Sequence, residues 1–399
     1  MSKIIAEGRP GPVYTEPSEV SKEEYGAMKA AQGEYINNFC TFLLEQLLSD
    51  KAQNIFISPL SVHTALMMAG SGATQSSLEA MRNVLQLNGF PAEKTVAMIA
   101  GVLEKYEKEC PPPYQIANSL WINSKITVYK GFLDECGKAF GATAEILPFD
   151  SAAPPRINAW VNDKTKGLIK EIVSKLESDD EMVLLNTVYF KGEFQNQFKK
   201  HQTHDADFNL INGEKKQCKM MEMTERLMYH NAGDASFVSL GFKDRRMRML
   251  VMLPAEKGEE ALRSCAMKYL RAGQFKDVVR GLSSTLVALS LPRFNAEFSA
   301  SLVQALTKMG LGICFTDDAK FERMSPEALK ISDVIHKTVL KVDENGVEAA
   351  AATAVMMMRC MGMIRPVSFP VPFVVDRPFV VSLYDEYFTS IFSGIIYNV

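Results

Sequence analysis

The sequence predicts an α+β fold, and two features of the chain support this class. Helical patterns cluster in the first half of the chain, whereas strand patterns dominate the second half. Because these strands are not separated by regularly repeated helices, we expect antiparallel or mixed sheets and not a series of β-α-β units. Residues 1–30 are rich in Gly, Pro, Glu and Ser, and no later segment resembles a linker. We therefore predict a flexible N-terminal extension over residues 1–30 and a single domain over residues 31–399.

The helices are predicted from apolar residues that recur every three or four positions. In residues 34–50 this spacing places a set of apolar side chains on one face: Ile36, Phe39, Cys40, Leu43, Leu44, Leu47 and Leu48. The same reasoning predicts further helices over residues 61–72, 75–87, 93–109 and 154–173.

The strands are predicted from runs rich in Val, Ile, Phe and Tyr that are bounded by Gly, Asn or Pro. These runs occupy residues 114–123, 181–192, 246–254, 286–294, 338–346 and 378–399.

The composition describes a globular protein of 399 residues with 47% hydrophobic residues and a net charge of −3. This near-neutral balance does not favour nucleic acid as a partner, and no apolar run reaches the roughly 18 to 20 residues that cross a bilayer. The seven cysteines are scattered without a Cys-x-x-Cys pair, and the N-terminus lacks the apolar core of a secretory signal. We expect a cytoplasmic protein, or one released without a signal peptide.

The motifs of common enzyme classes are absent from the sequence. There is no Gly-x-Ser-x-Gly elbow, no phosphate-binding loop and no dinucleotide fingerprint. His201 and His204 with two nearby aspartates form only a weak metal pattern, which is more typical of a solvated loop. Cys360 follows the cation Arg359, but no local residue supplies the base that a catalytic cysteine needs. We therefore predict no enzyme, no catalytic residue, no metal site and no cofactor.

Residues 347–366 form the most unusual segment, because Ala349 to Met358 are all small or apolar apart from Thr353. The methionines and Cys360 could bind Cu(I), although adjacent methionines more often fill apolar space. A helix here would lack an amphipathic stripe. As a strand, however, the segment places one small and apolar set on a single face: Val347, Ala349, Ala351, Thr353, Val355 and Met357. Such a strand could enter an existing sheet with little steric cost.

Four motifs in this order resemble the serpin family, and the resemblance extends from about residue 32 to residue 399. The motifs are "NIFISPLSVHTALMMAGSGA" (54–73), "LLNTVYFKGEF" (184–194), "VLKVDENGVEAAAATA" (339–354), and "DRPFVV" (376–381) with "FSG" (392–394). Within the family, the chain is most similar to the intracellular, ovalbumin-like branch (clade B). The resemblance implies a serpin fold with three β-sheets, about nine helices and an exposed reactive-centre loop.

The resemblance also implies a mechanism, in which a serine protease cleaves the loop and is trapped as an acyl-enzyme while the loop inserts into a sheet. The implied hinge of this loop comprises Glu344, Gly346, Val347, Glu348, Ala349, Ala350, Ala351, Ala352 and Thr353. A buried "shutter" that governs sheet opening would comprise Ser58, Ser61, Asn186 and His336. A "breach" at the top of the sheet would comprise Arg293, Glu344 and Phe194.

Two positions depart from the family pattern. Phe194 stands where the family usually has Trp, so the aromatic ring is kept and the indole N–H is lost. Val347 occupies a hinge position where Thr or Ser is common; Val is uncharged and favours strands, so insertion should still proceed.

The cleaved bond can be placed only by the family's usual spacing from the hinge glutamate. Counted from Glu344, this spacing places the bond between Cys360 and Met361, which favours elastase-like or chymotrypsin-like targets. Cleavage between Arg359 and Cys360 is the alternative, since Arg suits the acidic specificity pocket of a trypsin-like protease. Met361 and Met363 are further possibilities, because the segment from Cys360 to Pro378 is several residues longer than is usual in the family.

Other functions remain open at this point: a non-inhibitory serpin acting as a carrier or chaperone, or an inhibitor of cysteine proteases. We expect a monomer that forms a covalent complex with serine proteases. Glycosaminoglycan binding is not expected, because charges of both signs alternate over residues 93–109.

Overall fold

The computed structural model describes residues 4–5, 22–49, 52–87, 114–347 and 369–399. Within these residues there are eight α-helices: α1 (Lys22–Leu47), α2 (Pro59–Gly72), α3 (Gln75–Val84), α4 (Lys130–Phe140), α5 (Ala153–Lys164), α6 (Glu259–Tyr269), α7 (Ala272–Gly281) and α8 (Val303–Leu306). Shorter helical turns occupy Lys200–Gln202, Thr307–Leu311 and Gly312–Phe315. The helix predicted over residues 93–109 lies outside the described residues.

The same residues form eighteen strands. The strands are β1 (Ile4–Ile5), β2 (Ile55–Ile57), β3 (Tyr114–Asn123), β4 (Val128–Tyr129), β5 (Thr143–Leu147), β6 (Met182–Phe190), β7 (Gly192–Glu193), β8 (His204–Asn209), β9 (Lys215–Asn231), β10 (Ala235–Gly241), β11 (Met247–Pro254), β12 (Ser283–Pro292), β13 (Phe294–Ser301), β14 (Asp333–Asp343), β15 (Gly346–Val347), β16 (Val371–Val374), β17 (Phe379–Asp385) and β18 (Ser390–Ile396). The α+β class predicted from the sequence is confirmed.

The strands form two large mixed sheets and a two-stranded pair of β1 with β4. The seven-stranded sheet has the order β5-β3-β6-β14-β15-β7, with β13 on the other edge of β14. The nine-stranded sheet has the order β16-β12-β9-β10-β11-β17-β18-β2, with β8 paired to β9. The 17-residue strand β9 pairs with β8 through its first part and with β10 through its last part. The resemblance implies three sheets. Among the described residues, two of these are joined into one nine-stranded sheet by the long strand β9.

The core lies between the two large sheets and beneath the helices. One apolar cluster fills the space between the sheets and includes Phe194, Phe242 and Val347. A second cluster contains the inner faces of α1 and α2, and a third lies under α5 against β6. The predicted face of α1 is confirmed for five residues, which are completely buried: Ile36, Phe39, Cys40, Leu43 and Leu44. The other two, Leu47 and Leu48, are partly buried against the core at the end of the helix.

The helix α1 begins at Lys22 and therefore extends into the segment predicted as a flexible extension. The residues of its first turns, "KEEYGAMKA", are mostly good helix formers, and local propensity can carry a helix beyond its apolar stripe. The division of the chain into an extension and a single domain at residues 30 and 31 remains a prediction. Within the described part of the chain, no helix is both long and apolar enough to cross a membrane.

Candidate functional site

The candidate site is the place where the chain turns back after β14 and enters the seven-stranded sheet as β15. Strand β6 pairs with the first half of β14 in parallel, from Asp333 opposite Val183 to Thr338 opposite Val188. Further along the same edge of β14, β15 pairs antiparallel, with Val347 opposite Val342. On its other side β15 pairs with β7, with Val347 opposite Gly192. At one end of the sheet β6 and β14 are therefore direct neighbours, whereas at the other end β15 lies between β14 and β7.

The reversal between β14 and β15 depends on a glycine at position 346. Gly346 has φ +139°, and a Cβ added there would lie 2.2 Å from the carbonyl oxygen of Gly192 and 2.8 Å from the backbone nitrogen of Phe194. Both atoms belong to the backbone, so they cannot move aside as a flexible side chain would. Only glycine combines this dihedral angle with so close an approach.

Val347 and Phe194 anchor the returning strand in the core between the sheets, where both are completely buried. The Phe194 ring stacks on Phe242, with ring centroids 5.3 Å apart, and meets Phe198 edge-on at 6.1 Å. Its backbone N–H donates to the carbonyl of Asn345 at 2.8 Å. A phenylalanine therefore maintains the aromatic packing at this position without an indole N–H.

The predicted breach pair is formed at the base of the loop. The Glu344 side chain is 2% exposed, and its Oε1 accepts hydrogen bonds from the Arg293 guanidinium, including Nε at 3.0 Å. The same oxygen accepts from the Thr203 hydroxyl at 2.6 Å. The backbone carbonyl of Glu344 accepts from the N–H of Phe198 at 2.9 Å, so both main chain and side chain of this residue are held.

The ionisation of Glu344 follows from these contacts. Burial alone would raise the pKa of this carboxyl group, but the hydrogen bonds from Arg293 and Thr203 outweigh burial and hold the pKa below its usual value. The group is therefore a carboxylate at neutral pH, and its negative charge stabilises the position of the chain just before β15.

The structure also brings together the four predicted shutter residues, all of which are completely buried. The two ring nitrogens of His336 contact Asn186 Oδ1 at 2.7 Å and the backbone nitrogen of Ser58 at 3.0 Å. The amide nitrogen of Asn186 donates to Ser61 Oγ. Since Asn186 lies in β6 and His336 lies directly opposite in β14, this side-chain contact joins the two strands at the middle of their parallel pairing.

The hydrogen bonds determine the tautomer of His336. Because the Ser58 N–H donates to Nε2, that nitrogen is unprotonated, and Nδ1 carries the hydrogen that it donates to Asn186. Burial lowers the pKa of His336 to about 3, which outweighs the opposing effect of the hydrogen bond to Asn186. The imidazole is therefore neutral at physiological pH.

Three further residues belong to the two clusters and were not identified from the sequence. Asn118 in β3 accepts from the Asn186 amide, and Thr338 in β14 donates to the carbonyl of Phe56. Thr203, the third, binds Glu344 as described above. Asn118 and Thr338 are polar residues within apolar strand runs, which is the signal that could have indicated them; Thr203 lies in a polar segment and gives none.

The remaining predicted site residues are not described by the structure. Glu348, Ala349, Ala350, Ala351, Ala352 and Thr353 of the hinge, and Arg359, Cys360 and Met361 at the predicted bond, all lie outside the described residues. His201 and His204 are exposed, and His204 begins the strand β8, whereas the sequence predicts a loop there. Across residues 114–347 and the other described ranges, no group of three or more His, Cys, Asp or Glu residues could hold a metal ion.

Taken together, the fold and the site define a class of α+β proteins in which a returning chain segment enters a formed sheet between two of its strands. The chain belongs to the serpin family, because the family model described as "Serpin (serine protease inhibitor)" matches residues 34–399.

Individual relatives agree with this membership. Serpin B6 of Macaca fascicularis is 33% identical over 86% of this chain and 92% of its own length. The leukocyte elastase inhibitor of Bos taurus is 32% identical over 82% of this chain and 88% of its own length. The crystal structure of the thermophilic serpin tengpin in its native state matches with a TM-score of 0.81 and 26% identity, over 98% of this chain and 97% of tengpin.

The burial of neutral His336 predicts a specific loss of stability in acid. The unfolded chain binds a proton at His336 below about pH 6.5, whereas the folded protein does so only near pH 3, so stability falls as the pH decreases through this window. The free energy of unfolding falls by at most about 1.4 kcal/mol per pH unit, or by about 2 kcal/mol between pH 6.5 and 5. His336→Gln, which does not titrate, should lose less stability than the parent between pH 7 and 5, as measured by thermal unfolding at a fixed scan rate. Equal losses in the two proteins would contradict this origin.

The contacts of Gly346 predict that an alanine there displaces β15. Gly346→Ala should lower the free energy of unfolding by more than about 2 kcal/mol, because the Cβ clash expels Val347 from the core. Gly213→Ala is a matched control, since Gly213 has φ +84° but no atom within 4 Å of its added Cβ. The control should show only the backbone cost of about 1 kcal/mol. If the two variants are equally destabilised, the close approach to β7 is not what requires glycine at position 346.

Proposed function

We propose that this protein is a suicide-type inhibitor of serine proteases that acts by loop cleavage, acyl-enzyme trapping and insertion of the loop into the seven-stranded sheet. The observation that carries the proposal is the position of β15. This strand already pairs with the end of β14, on the same edge where β6 pairs with its first half. It therefore has the position of the first step of an insertion between β6 and β14.

The direction of the chain suits this insertion. Strands β6 and β14 are parallel, and the turn after β14 makes the next segment run opposite to both. An inserted strand would replace one parallel pairing by two antiparallel pairings, which are slightly more stable per residue. Insertion therefore adds a row of backbone hydrogen bonds on each side of the new strand.

The register of β15 determines which residues would meet. In steps of two from Val347, continued pairing places Ala349 opposite Leu340, Ala351 opposite Thr338, and Thr353 opposite His336. On the other side, the pairing of Val347 with Gly192 continues until Thr353 lies opposite Asn186. Thr353 would therefore separate His336 from Asn186, and the hydrogen bond between these two residues is the contact that insertion must break.

The composition of the hinge matches the two faces of the sheet. Along β14, burial alternates, with Val334, His336, Thr338, Leu340 and Val342 facing the core. Cross-strand neighbours point to the same face of a sheet, so their partners would be the small or apolar odd-numbered residues from Val347 to Val355. Glu348 would lie opposite Lys341, which is exposed. The charge of the hinge thus falls on the outer face, where it need not be buried.

The chemistry belongs to the target protease. Its active-site serine attacks the carbonyl carbon of the residue before the cleaved bond, forms an ester with it, and releases the amino group of the residue after the bond. Insertion of about a dozen residues at about 3.3 Å per residue would then carry the attached enzyme about 40 Å along the sheet. Such a displacement competes with hydrolysis of the ester and explains how the loop can trap the protease.

The bond between Cys360 and Met361 is the proposed cleavage site, with elastase-like or chymotrypsin-like enzymes as targets. The bond between Arg359 and Cys360, with a trypsin-like target, is the alternative. In this proposal the protein itself is not an enzyme; it is a monomer that acts in the cytoplasm or after release without a signal peptide. A carrier or chaperone role, or inhibition of cysteine proteases, would be the conclusion if no serine protease were trapped.

A denaturing gel after incubation with trypsin, chymotrypsin or elastase tests the proposal. We expect a complex with at least one of these enzymes that survives denaturation, and a released C-terminal fragment whose mass identifies the cleaved bond. Ala351→Glu should abolish the complex and yield only cleaved protein, because a carboxylate opposite Thr338 would be buried without a partner.

Ala352→Glu is the matched control for this experiment. The register places residue 352 on the outer face opposite Lys337. This half-buried lysine already pairs with Glu297 at 3.2 Å, and its ammonium can also pair with a carboxylate across the strand, so the complex should still form. No complex with any of the three proteases would contradict the inhibitory function. Equal loss in both variants would contradict the proposed register.

A further inference from the structure

Two short segments beside Glu344 and β15 carry an unusual excess of positive charge. Residues 191–200 and 243–248 together contain seven lysines and arginines and two acidic residues, in a chain whose net charge is −3. The rest of the chain is therefore acidic, and the positive charge is concentrated where β15 enters the sheet.

Backbone contacts hold both segments against the hinge. Lys191 precedes Gly192, which pairs with Val347, and Lys199 follows Phe198, whose N–H donates to the carbonyl of Glu344 at 2.9 Å. The second segment is joined to the first because the N–H of Lys243 donates to the carbonyl of Glu193 at 2.8 Å. The two segments thus lie beside Glu344 and β15, on the side of β7.

Four of these cations form no ion pair with an acidic side chain of the described residues. We refer to Lys191, Lys199, Lys200 and Arg245 as the basic rim; all four are exposed. By contrast, the neighbouring Lys243 is paired with Glu193, and Arg293 is paired with Glu344. Lys199 and Lys200 are neighbours in the chain, and unpaired like charges so placed repel each other, so a partner of opposite sign would lower their free energy.

We infer that the basic rim is a docking surface for an acidic patch beside the active site of the target protease. The inference rests on the proposed inhibitory function, since a protease that attacks the loop must approach the end of the molecule where the loop begins. An acidic patch on that enzyme would be steered toward the rim, which raises the rate of association without any change in the cleaved bond. The specificity for a protease would then have two parts: the loop sequence and the charge of the enzyme's surface.

The experiment uses one protease in two charge states. The enzyme that forms the denaturation-resistant complex is tested as purified and after succinylation of its surface lysines, which makes it acidic and leaves its specificity pocket in place. The unmodified inhibitor should associate with the succinylated enzyme about tenfold faster than Lys199→Glu/Lys200→Glu does at low salt. The difference should largely disappear near 1 M salt, where the screening length is about 3 Å.

A control variant with the same change in net charge distinguishes the effect of the basic rim on the association rate from the effect of the protein's overall charge. Lys138→Glu/Lys308→Glu changes two exposed lysines on α4 and on the short turn after α8, and it should associate at nearly the rate of the parent. The number of inhibitor molecules consumed per trapped protease should be unchanged in both variants, because neither alters the hinge or the loop.

The possible outcomes distinguish the two proposals. If the parent traps neither form of the enzyme, the inhibitory function and the inference both fail. If the parent traps the enzyme but the rates do not depend on Lys199 and Lys200, or fall equally in the control, only the inference is overturned. A rate difference that appears only when heparin is added would also overturn it, because the rim would then bind a polyanion and not the protease.

Discussion

The structure depends on one arrangement of strands, the parallel pairing of β6 with β14 next to a returning strand that runs opposite to both. Because β6 and β14 are parallel, a strand of the opposite direction could pair antiparallel with both once they separate, and β15 already occupies the first two positions. In the proposed mechanism, the other contacts of the site start this insertion, hold it in place, or resist its progress.

The two buried clusters act at different points along the same pairing. At the open end, Glu344 is bound by Arg293 and Thr203, and Gly346 allows the chain to turn against β7. In the middle of the closed part, neutral His336 joins β14 to Asn186 in β6. In the proposed mechanism, the protein remains in its native state because the contacts in the middle must break before further insertion, which is a kinetic form of stability.

Much of this site could be predicted from the sequence, because it depends on local patterns. The alternation of small residues after Val347 indicates a strand, and the resemblance to serpins implies that Ser58, Ser61, Asn186 and His336 act together. The structure places these four residues in one buried cluster. Their relation to sheet opening is implied by the resemblance alone and stays part of the proposal.

Other features could not be predicted, because they depend on contacts between distant segments. The pairing of β6 with β14 joins residues 150 positions apart, and the sequence contains no signal for that register. Strand β9 was missed, since its many Lys, Glu and Met residues do not resemble a strand; cross-strand ion pairs such as that of Lys219 with Asp205 accompany it in the sheet. Thr203 was missed for a related reason, because only the fold brings it to Glu344.

The most direct measurement of the central claim is the separation of Asn186 and His336 in a crystal structure of the protein after cleavage of its loop. Neighbouring strands lie about 4.8 Å apart, so insertion of one strand should increase the separation of the Cα atoms to about 10 Å, with Thr353 between them. A cleaved protein in which β6 and β14 remain direct neighbours, about 5 Å apart, would contradict the account.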